Sequence, residues 1–320
     1  MEKTLEFPVL LRMIDERAVV FRAAVASAPS LDVRVPTCPE WTLLDLVRHL
    51  GEVHRHWADV VTAGLTEGSP ADPASNSDPE TALDAGPVSD PEAHPGTAPG
   101  TAPDSDPQAH PGTAPGTESD PAPDVAAGAA PAVPGEPAAL LAWSAGSTER
   151  LLGALRESGP DRGCRTWWGG SQSPQTSGAV ARHQVQEAAV HTYDARITVG
   201  APQPLPDDAA LDGVDEFLST CCGGFAWPYE PSVIDFHATE GASWRLSLPT
   251  GRARLTRLPV PGTGPEAATA ADDPDVAYAS ARGTAAELVL VLYGRVPLDS
   301  LTLGGERRLF DLLEAWDPEE

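Results

Sequence analysis

Residues 67–137 differ so strongly from the rest of the chain that they divide it into an N-terminal and a C-terminal part. They hold 16 of the 34 prolines and 13 acidic residues, but no lysine or arginine. A unit that begins at Ser89 recurs at Ser105. Large apolar side chains are scarce, so little buried surface can offset the entropy cost of ordering this segment. We therefore expect residues 67–137 to be a disordered acidic insertion, and any protein partner of this segment is unknown.

The overall charge excludes two classes of partner. The 320 residues carry 47 acidic and 21 basic side chains, a net charge of −26. Nucleic acids and anionic membranes attract clustered lysine and arginine, so we expect this protein to bind neither. The longest strongly apolar run, residues 288–293, is far shorter than the ~20 residues of a membrane span. Charged residues also interrupt the first twenty residues, where a signal peptide needs an apolar run, so the expected location is cytoplasmic.

Residues 1–66 and 138–202 together predict a four-helix bundle. Apolar residues recur at three- and four-residue spacing, which indicates helices at 8–28, 42–65, 138–157 and 178–199. In the second helix, Thr42 is the expected N-cap and Asp45 completes a variant of the capping box. The insertion falls in the connection between the second and third helices, where additional length costs little. The expected apolar positions of the first helix are Leu10, Leu11, Ile14, Val19 and Phe21.

The remaining residues, 206–320, predict a smaller α+β domain. Residues 207–221, 284–293 and 306–316 have helical patterns. Residues 244–248 and 253–258 suggest a hairpin, and residues 276–281 suggest a further strand. The fold class predicted for the whole chain is therefore α+β. The four cysteines form neither a CxxC pair nor an obvious disulfide framework, and adjacent Cys221 and Cys222 are expected to be small helical residues rather than a redox site.

Side chains able to bind a metal concentrate on the fourth helix. His183, Glu187, His191 and Asp194 fall within an arc of about 80° at 100° per residue. Most charged helix faces are simply solvated. This strip, however, has two carboxylates and two imidazoles without a permanent cation. Glu187 and His191, one turn apart, suit a divalent metal, and a third ligand must come from another element.

The second helix offers three candidates for that third ligand, His49, His54 and His56. His54 lies nearer the centre of the apolar stripe, and the other two lie on its flank. The helical wheel does not choose among them, and each one alone is more often a packed or surface histidine than a ligand.

Two stretches of the chain resemble the mycothiol-dependent maleylpyruvate isomerase family. Residues 38–55, which read CPEWTLLDLVRHLGEVHR, are similar to its N-terminal signature, a Pro-x-Trp-(Thr/Ser) sequence before a helix that carries His-Leu. Residues 182–195, RHQVQEAAVHTYDA, are similar to its second metal motif. Residues 212–218 and the region from Gly283 to Arg295 resemble its C-terminal domain. The likeness covers nearly all of the chain outside residues 67–137.

The resemblance implies a fold, a cofactor and a ligand set. The fold is a DinB-like four-helix bundle at 1–66 and 138–202, followed by a sterol-carrier-like α+β domain at 206–320. The metal is a divalent ion, usually zinc, and its implied ligands are His49, Glu187 and His191. The resemblance further implies that Arg295 lies near the substrate, although capping of the preceding helix is an equal alternative. The resemblance assigns Asp194 and His183 to positions beside the metal ligands, where they would orient those ligands without contacting the metal. For His183, a position on the protein surface is the alternative.

The implied reaction uses a small thiol. A metal with an open position stabilises the thiolate of mycothiol, the main thiol of many actinobacteria. This fits the GC-rich genome that is suggested by a chain with one lysine and one asparagine. The thiolate adds to an activated alkene, the former double bond rotates, and loss of the thiol gives the trans isomer. Arg295 then holds a substrate carboxylate. The expected substrate is a small molecule with a carboxylate or an activated alkene.

Other functions remain open at this stage. A mycothiol S-transferase would use the same first step on an electrophile and omit the elimination. A non-catalytic protein could use the C-terminal domain to bind an apolar ligand or a partner. Zinc-binding anti-sigma proteins are a third possibility, but they depend on cysteine ligands, and no cysteine here is suitably placed.

Overall fold

A computed structural model describes residues 5–65, 133–259 and 277–316. The insertion predicted at 67–137 lies outside these residues except for 133–137, and Pro137 already begins a helix. Among the described residues, no helix is both long and apolar enough to cross a membrane.

The N-terminal part contains four long helices whose ends lie within two residues of the predicted positions. They are α1 (Phe7–Ala26), α2 (Leu43–Ala63), α3 (Pro137–Ser158) and α4 (Ser177–Thr198). Helix α1 packs mainly on α4, and α2 packs mainly on α3. Of the apolar positions predicted for α1, Val19 is wrong because it is 53 % exposed. It lies five residues, or 140° around the helix, from the fully buried Ile14.

The capping box predicted at the start of α2 is present. Thr42 Oγ1 accepts a hydrogen bond from the Asp45 backbone N–H at 3.2 Å, and the Asp45 carboxylate accepts one from the Thr42 backbone N–H at 2.9 Å. Six residues after Asp45, Gly51 allows the Trp143 ring of α3 to lie directly on the α2 backbone. A Cβ at this position would come within 2.1 Å of that ring. These two features fix the start of α2 and its packing on α3.

A short hairpin that the sequence did not reveal precedes α2. It consists of β1 (Arg34–Val35) and β2 (Cys38–Thr42), which pair antiparallel. Strand β2 leads directly into Thr42, so the hairpin and the second helix are rigidly connected.

The C-terminal part is built around a five-stranded mixed sheet in the order β5-β4-β3-β6-β7. Only the β3–β6 pair is parallel. The strands are β3 (Ser232–Ala238), β4 (Ser243–Leu248), β5 (Arg254–Arg257), β6 (Ala277–Gly283) and β7 (Thr302–Gly305). The hairpin predicted at 244–258 is the β4–β5 pair.

Within residues 205–259 and 277–316, three α-helices accompany the sheet: α5 (Asp207–Phe217), α6 (Ala285–Leu292) and α7 (Arg308–Ala315). Residues 207–221, which the sequence predicted to be helical, are helical, although the last part, Leu218–Cys222, is a π-helical turn. Such turns are rare and occur frequently at functional sites. The α+β fold class is confirmed.

Arg182 connects α4 with the C-terminal sheet. Its Nε donates to Asp212 Oδ2 and its NH2 donates to Asp215 Oδ2, both at 2.8 Å. Asp215 also accepts a hydrogen bond from the indole N–H of Trp244 on β4 at 3.1 Å. These partly buried ion pairs hold α5 and the sheet against the helix that carries the candidate metal ligands.

Candidate metal centre

His49, Glu187 and His191 lie together between α2 and α4. His49 Nε2 and His191 Nε2 are each 3.5 Å from Glu187 Oε2. The two imidazole rings meet edge to face with their centroids 4.9 Å apart. One candidate ligand atom from each residue lies within 4.8 Å of the other two. Two nitrogens and one oxygen therefore converge on a single point.

The Glu187 carboxylate shows that these residues fit a cation. Its Oε2 is buried, and among the described residues its polar neighbours are the two histidine nitrogens at 3.5 Å, too far for a well-formed hydrogen bond. Burial raises the pKa of Glu187, but His191 and His49 outweigh this effect and hold it well below the usual value. A buried carboxylate whose neighbours lie beyond good hydrogen-bond distance is incompletely compensated. A divalent ion held by two imidazoles and one carboxylate would complete that compensation, and this donor set is typical of catalytic zinc sites.

Asp194 supports His191 from behind. Asp194 Oδ2 lies 2.9 Å from His191 Nδ1, so the ring donates its Nδ1–H to the carboxylate and turns Nε2 toward Glu187. The same carboxylate accepts a hydrogen bond from Thr37 Oγ1 at 2.6 Å. Burial lowers the pKa of His191, but Asp194 and Glu187 outweigh it and raise the value to about 9. In the absence of a metal, His191 is therefore protonated at neutral pH.

Arg295 reaches this centre from the C-terminal domain. Its NH2 donates to Asp194 Oδ2 at 3.2 Å and its NH1 donates to the Tyr293 carbonyl at 2.7 Å. Tyr293 is the C-cap residue of α6, so Arg295 does cap the preceding helix. The described contacts use three of the five guanidinium N–H groups. Its contact with substrate stays a prediction.

The structure distinguishes the three histidines of α2. His54 is 1 % exposed, and its Nδ1 lies 3.2 Å from Thr148 Oγ1 on α3. Burial lowers the pKa of His54 to about 3, so it is neutral. The His56 ring contacts Trp57 with centroids 5.3 Å apart. Only His49 joins Glu187 and His191 in the group of candidate ligands.

His183, the fourth polar residue of the α4 strip, has a different carboxylate partner. Its Nδ1 lies 3.0 Å from Glu216 Oε1 on α5. The rings of Trp57, Trp167 and Trp168 surround it at centroid distances between 5.2 and 6.2 Å. The proposed orienting role of His183 remains untested.

Trp41 also lines the candidate metal centre, although residue spacing did not identify it. Its ring lies 4.7 Å from the His49 ring and 6.0 Å from the His191 ring, centroid to centroid. The signal was present in the sequence, since Trp41 is the tryptophan of the Pro-x-Trp motif. Without the β1–β2 hairpin, however, nothing indicated that the ring turns toward the histidines.

The cysteines nearest the centre are poor nucleophiles. Burial and the Asp194 carboxylate raise the pKa of Cys38 to about 11. Burial, with Glu216 next in importance, raises the pKa of Cys221 well above its usual value. Neither thiol is ionised at neutral pH, which agrees with the implied reaction, since that reaction needs no protein nucleophile.

Comparison with protein families gives two matches. A family profile described as the mycothiol maleylpyruvate isomerase N-terminal domain matches residues 11–95 and 94–196. A second, described as the MDMPI C-terminal domain, matches residues 208–312. No curated protein matches the chain. No solved structure matches it either.

Proposed function

The chain belongs to the mycothiol maleylpyruvate isomerase family, and from this premise we propose that it is a metal- and mycothiol-dependent enzyme that converts a cis alkene into its trans isomer. The substrate is a small molecule whose double bond is activated by a neighbouring carbonyl group. Maleylpyruvate, named in the family description, is the first substrate to test.

The observation that carries this proposal is the convergence of His49, His191 and the buried Glu187 carboxylate on one position. Glu187 Oε2 is buried and lies 3.5 Å from both His49 Nε2 and His191 Nε2. Both separations are at the outer limit of a hydrogen bond, so the histidines compensate this buried carboxylate less well than a bound cation would. The three residues would hold a divalent metal, most simply zinc. When bound, the metal would supply an open position that stabilises the thiolate of mycothiol.

The protein's own residues orient this chemistry. Asp194 holds the Nδ1–H of His191, which keeps the Nε2 lone pair directed at the centre. Thr37 and Arg295 in turn fix the Asp194 carboxylate. Trp41 packs against both imidazole rings and limits their rotation. Three separate elements thus hold the ligand atoms before a metal arrives, which favours a defined geometry over a flexible one.

On the substrate side, Arg295 contacts Asp194, the carboxylate that holds His191. Two of its N–H groups are not used in the described contacts and are available for a substrate carboxylate. A cation there would also stabilise the negative charge that develops on the enolate oxygen when the thiolate adds. Rotation about the former double bond and loss of the same thiolate complete the isomerisation without a protein nucleophile.

A turnover assay tests the proposal. The zinc-loaded chain is incubated with maleylpyruvate, with and without mycothiol, and the products are identified by NMR. We expect the trans isomer to form only when mycothiol is present, with the thiol recovered unchanged. A stable thioether product would instead identify an S-transferase. No reaction in either direction would contradict the proposal and favour a non-catalytic binding protein.

A further inference from the structure

A cleft lined by two arginines lies where α1, α4 and the segment that leads into α5 meet. Its lining includes Arg17 from α1, Thr192 and Arg196 from α4, and residues 203–206 from the connecting segment. It has about 230 Å³ of empty space, part of which is open to solvent. Pockets for drug-sized molecules have volumes of about 300–1,000 Å³. The cleft therefore suits a smaller ligand, with one or two charged groups.

This cleft is separate from the candidate metal centre. Arg196 follows Glu187 by nine residues, which at 100° per residue places it about 180° around α4 from that ligand. Thr192 and Tyr193, which also line the cleft, lie at about 140° and 240° on the same scale. His191, the other metal ligand on this helix, lies at about 40°. The cleft thus opens on the face of α4 that is opposite the metal ligands.

The charge of the cleft is positive and uncompensated. Among the described residues, no carboxylate lines it. Within residues 5–65, 133–259 and 277–316, neither Arg17 nor Arg196 forms an ion pair. Asp207 and Asp208 follow the connecting segment, but they are exposed and do not line the cleft. In a chain with 47 acidic and 21 basic residues, two arginines in one cleft without an acidic partner are unexpected.

The hydrogen bonds of Arg196 are also incomplete. Its Nε is buried and has no hydrogen-bond partner among the described residues. Its NH1 donates to the Ala201 carbonyl at 3.5 Å, the outer limit of a hydrogen bond. A cation in the last turn of a helix complements the helix dipole, which is an alternative reason for this arginine. The dipole does not account for Arg17, which lies in the middle of α1.

The surrounding residues fix the cleft and add further donors. Thr192 Oγ1 donates to the Arg17 carbonyl at 3.1 Å, which joins α1 to α4 beside the cleft. Tyr193 contributes a hydroxyl group and Gln203 an amide group to the lining, and both groups can donate hydrogen bonds. The planar guanidinium group matches the geometry of carboxylate and phosphate oxygens. This set of donors is therefore suited to an oxyanion.

We propose that this cleft binds a small molecule through a carboxylate or phosphate group held between Arg17 and Arg196. The inference goes beyond the proposed function and does not depend on it, because no part of the metal centre is involved. A bound oxyanion would contact α1, α4 and the segment that connects the bundle to α5. It would therefore stabilise the connection between the bundle and the C-terminal domain.

NMR of the arginine side chains provides the first test. The full chain, labelled with 15N-arginine, is titrated with malonate or with inorganic phosphate, and sodium chloride keeps the ionic strength constant. We expect the Nε–H signals of Arg17 and Arg196, assigned by their loss in Arg17→Gln and Arg196→Gln, to shift and saturate. The anion that binds more tightly distinguishes a carboxylate site from a phosphate site. If neither anion gives a saturable shift of these two signals, the inference is overturned.

Affinities of the variants provide the second test. Arg17→Gln and Arg196→Gln should each bind the preferred anion about 10-fold or more weakly, the range of a lost charge-assisted hydrogen bond. The matched control is Arg156→Gln, which changes an exposed arginine in the last turn of α3 and should bind like the wild type. The anion should also raise the Tm of the wild type but not that of Arg17→Gln/Arg196→Gln. Wild-type affinity in this double variant would contradict the assignment of the two arginines.

Titrations with and without zinc separate this cleft from the metal centre. An anion can also bind to a metal with an open position, and that event would require zinc. We expect the zinc-free and zinc-loaded chains to bind the anion with equal affinity, because the cleft and the metal ligands lie on opposite faces of α4. Binding that occurs only in the zinc-loaded chain would place the anion at the metal and overturn the inference. Failure of the turnover assay would leave this result unaffected.

Discussion

Replacing Asp194 with asparagine is expected to weaken both the fold and the metal site, because this buried carboxylate contacts two cationic groups, His191 and Arg295. Its side chain is 0 % exposed, with Oδ2 2.9 Å from His191 Nδ1 and 3.2 Å from Arg295 NH2. Asparagine keeps the size of the side chain and one acceptor oxygen but removes the negative charge. The variant therefore isolates the electrostatic contribution.

Two magnitudes follow from this geometry. Arg295, whose side chain is 9 % exposed, would lose its ionic partner. Removing one partner of a buried ion pair lowers the free energy of unfolding by about 3–5 kcal/mol. The weaker hold on His191 should lower metal affinity by about 10–100-fold, equivalent to about 1.4–2.7 kcal/mol of binding free energy.

Urea unfolding in the presence of a chelator measures the first effect, and zinc competition with a chromophoric chelator measures the second. The matched control is Asp59→Asn, which removes an exposed ion pair with Arg150 whose side chains are 64 % and 49 % exposed. That control should lose less than about 1 kcal/mol. The double variant Asp194→Asn/Arg295→Met should lose less stability than the sum of its single variants. If Asp194→Asn unfolds and binds zinc like the control, the assigned role of this carboxylate is refuted.

Three further predictions concern the same centre. The pKa of His191 is raised from 6.5 to about 9, so its ionic contribution to the metal-free fold is complete below pH 6.5 and is lost as the pH rises through about 9. Zinc must displace that proton, so the affinity of the site for zinc should rise as the pH rises over the same range, and binding near pH 7 should release about one proton. Calorimetry in two buffers of different ionisation enthalpy measures this release, and no release would contradict the raised pKa of His191. His49→Ala should lose zinc, whereas His54→Gln should retain it. Elemental analysis measures the zinc content of both variants, and zinc retained by His49→Ala but lost by His54→Gln would contradict the assignment of His49. Zinc binding should change the tryptophan fluorescence of the wild type more than that of Trp41→Phe, because the Trp41 ring lies 4.7 Å from the His49 ring. Equal changes in the two proteins would contradict the position of Trp41 beside the zinc site.

The helices of this protein could be predicted from the sequence because their signals are local. The periodicity of apolar residues located α1 to α4, and Thr42 with Asp45 located the start of α2. Strand β3 was not predicted because it lies in the centre of the sheet. Six of its seven residues are buried on both faces, so it shows no alternation of apolar and polar residues. The strand also contains the buried Asp235, which pairs with Arg245 on β4 and interrupts the run of apolar residues.

In the candidate site, too, the local features could be predicted from the sequence and the long-range contacts could not. Glu187 and His191 share one face of one helix, so spacing alone brought them together. The choice of His49 over His54 depends on how α2 rotates against α4, which the helical wheel did not decide and the family resemblance did. The contacts of Asp194 with Thr37 and Arg295 join residues more than 100 positions apart. No local pattern encodes them, and the domain boundaries drawn from the sequence stay a prediction.

Metal content measured by elemental mass spectrometry tests the central claim most directly. Wild type, Glu187→Ala/His191→Ala and the control His237→Ala are each offered zinc, freed of excess ion and checked for folding by circular dichroism. We expect close to one zinc per chain in the wild type and the control, and almost none in the double variant. A folded wild type that retains no metal, or a double variant that retains as much as the wild type, would contradict the account.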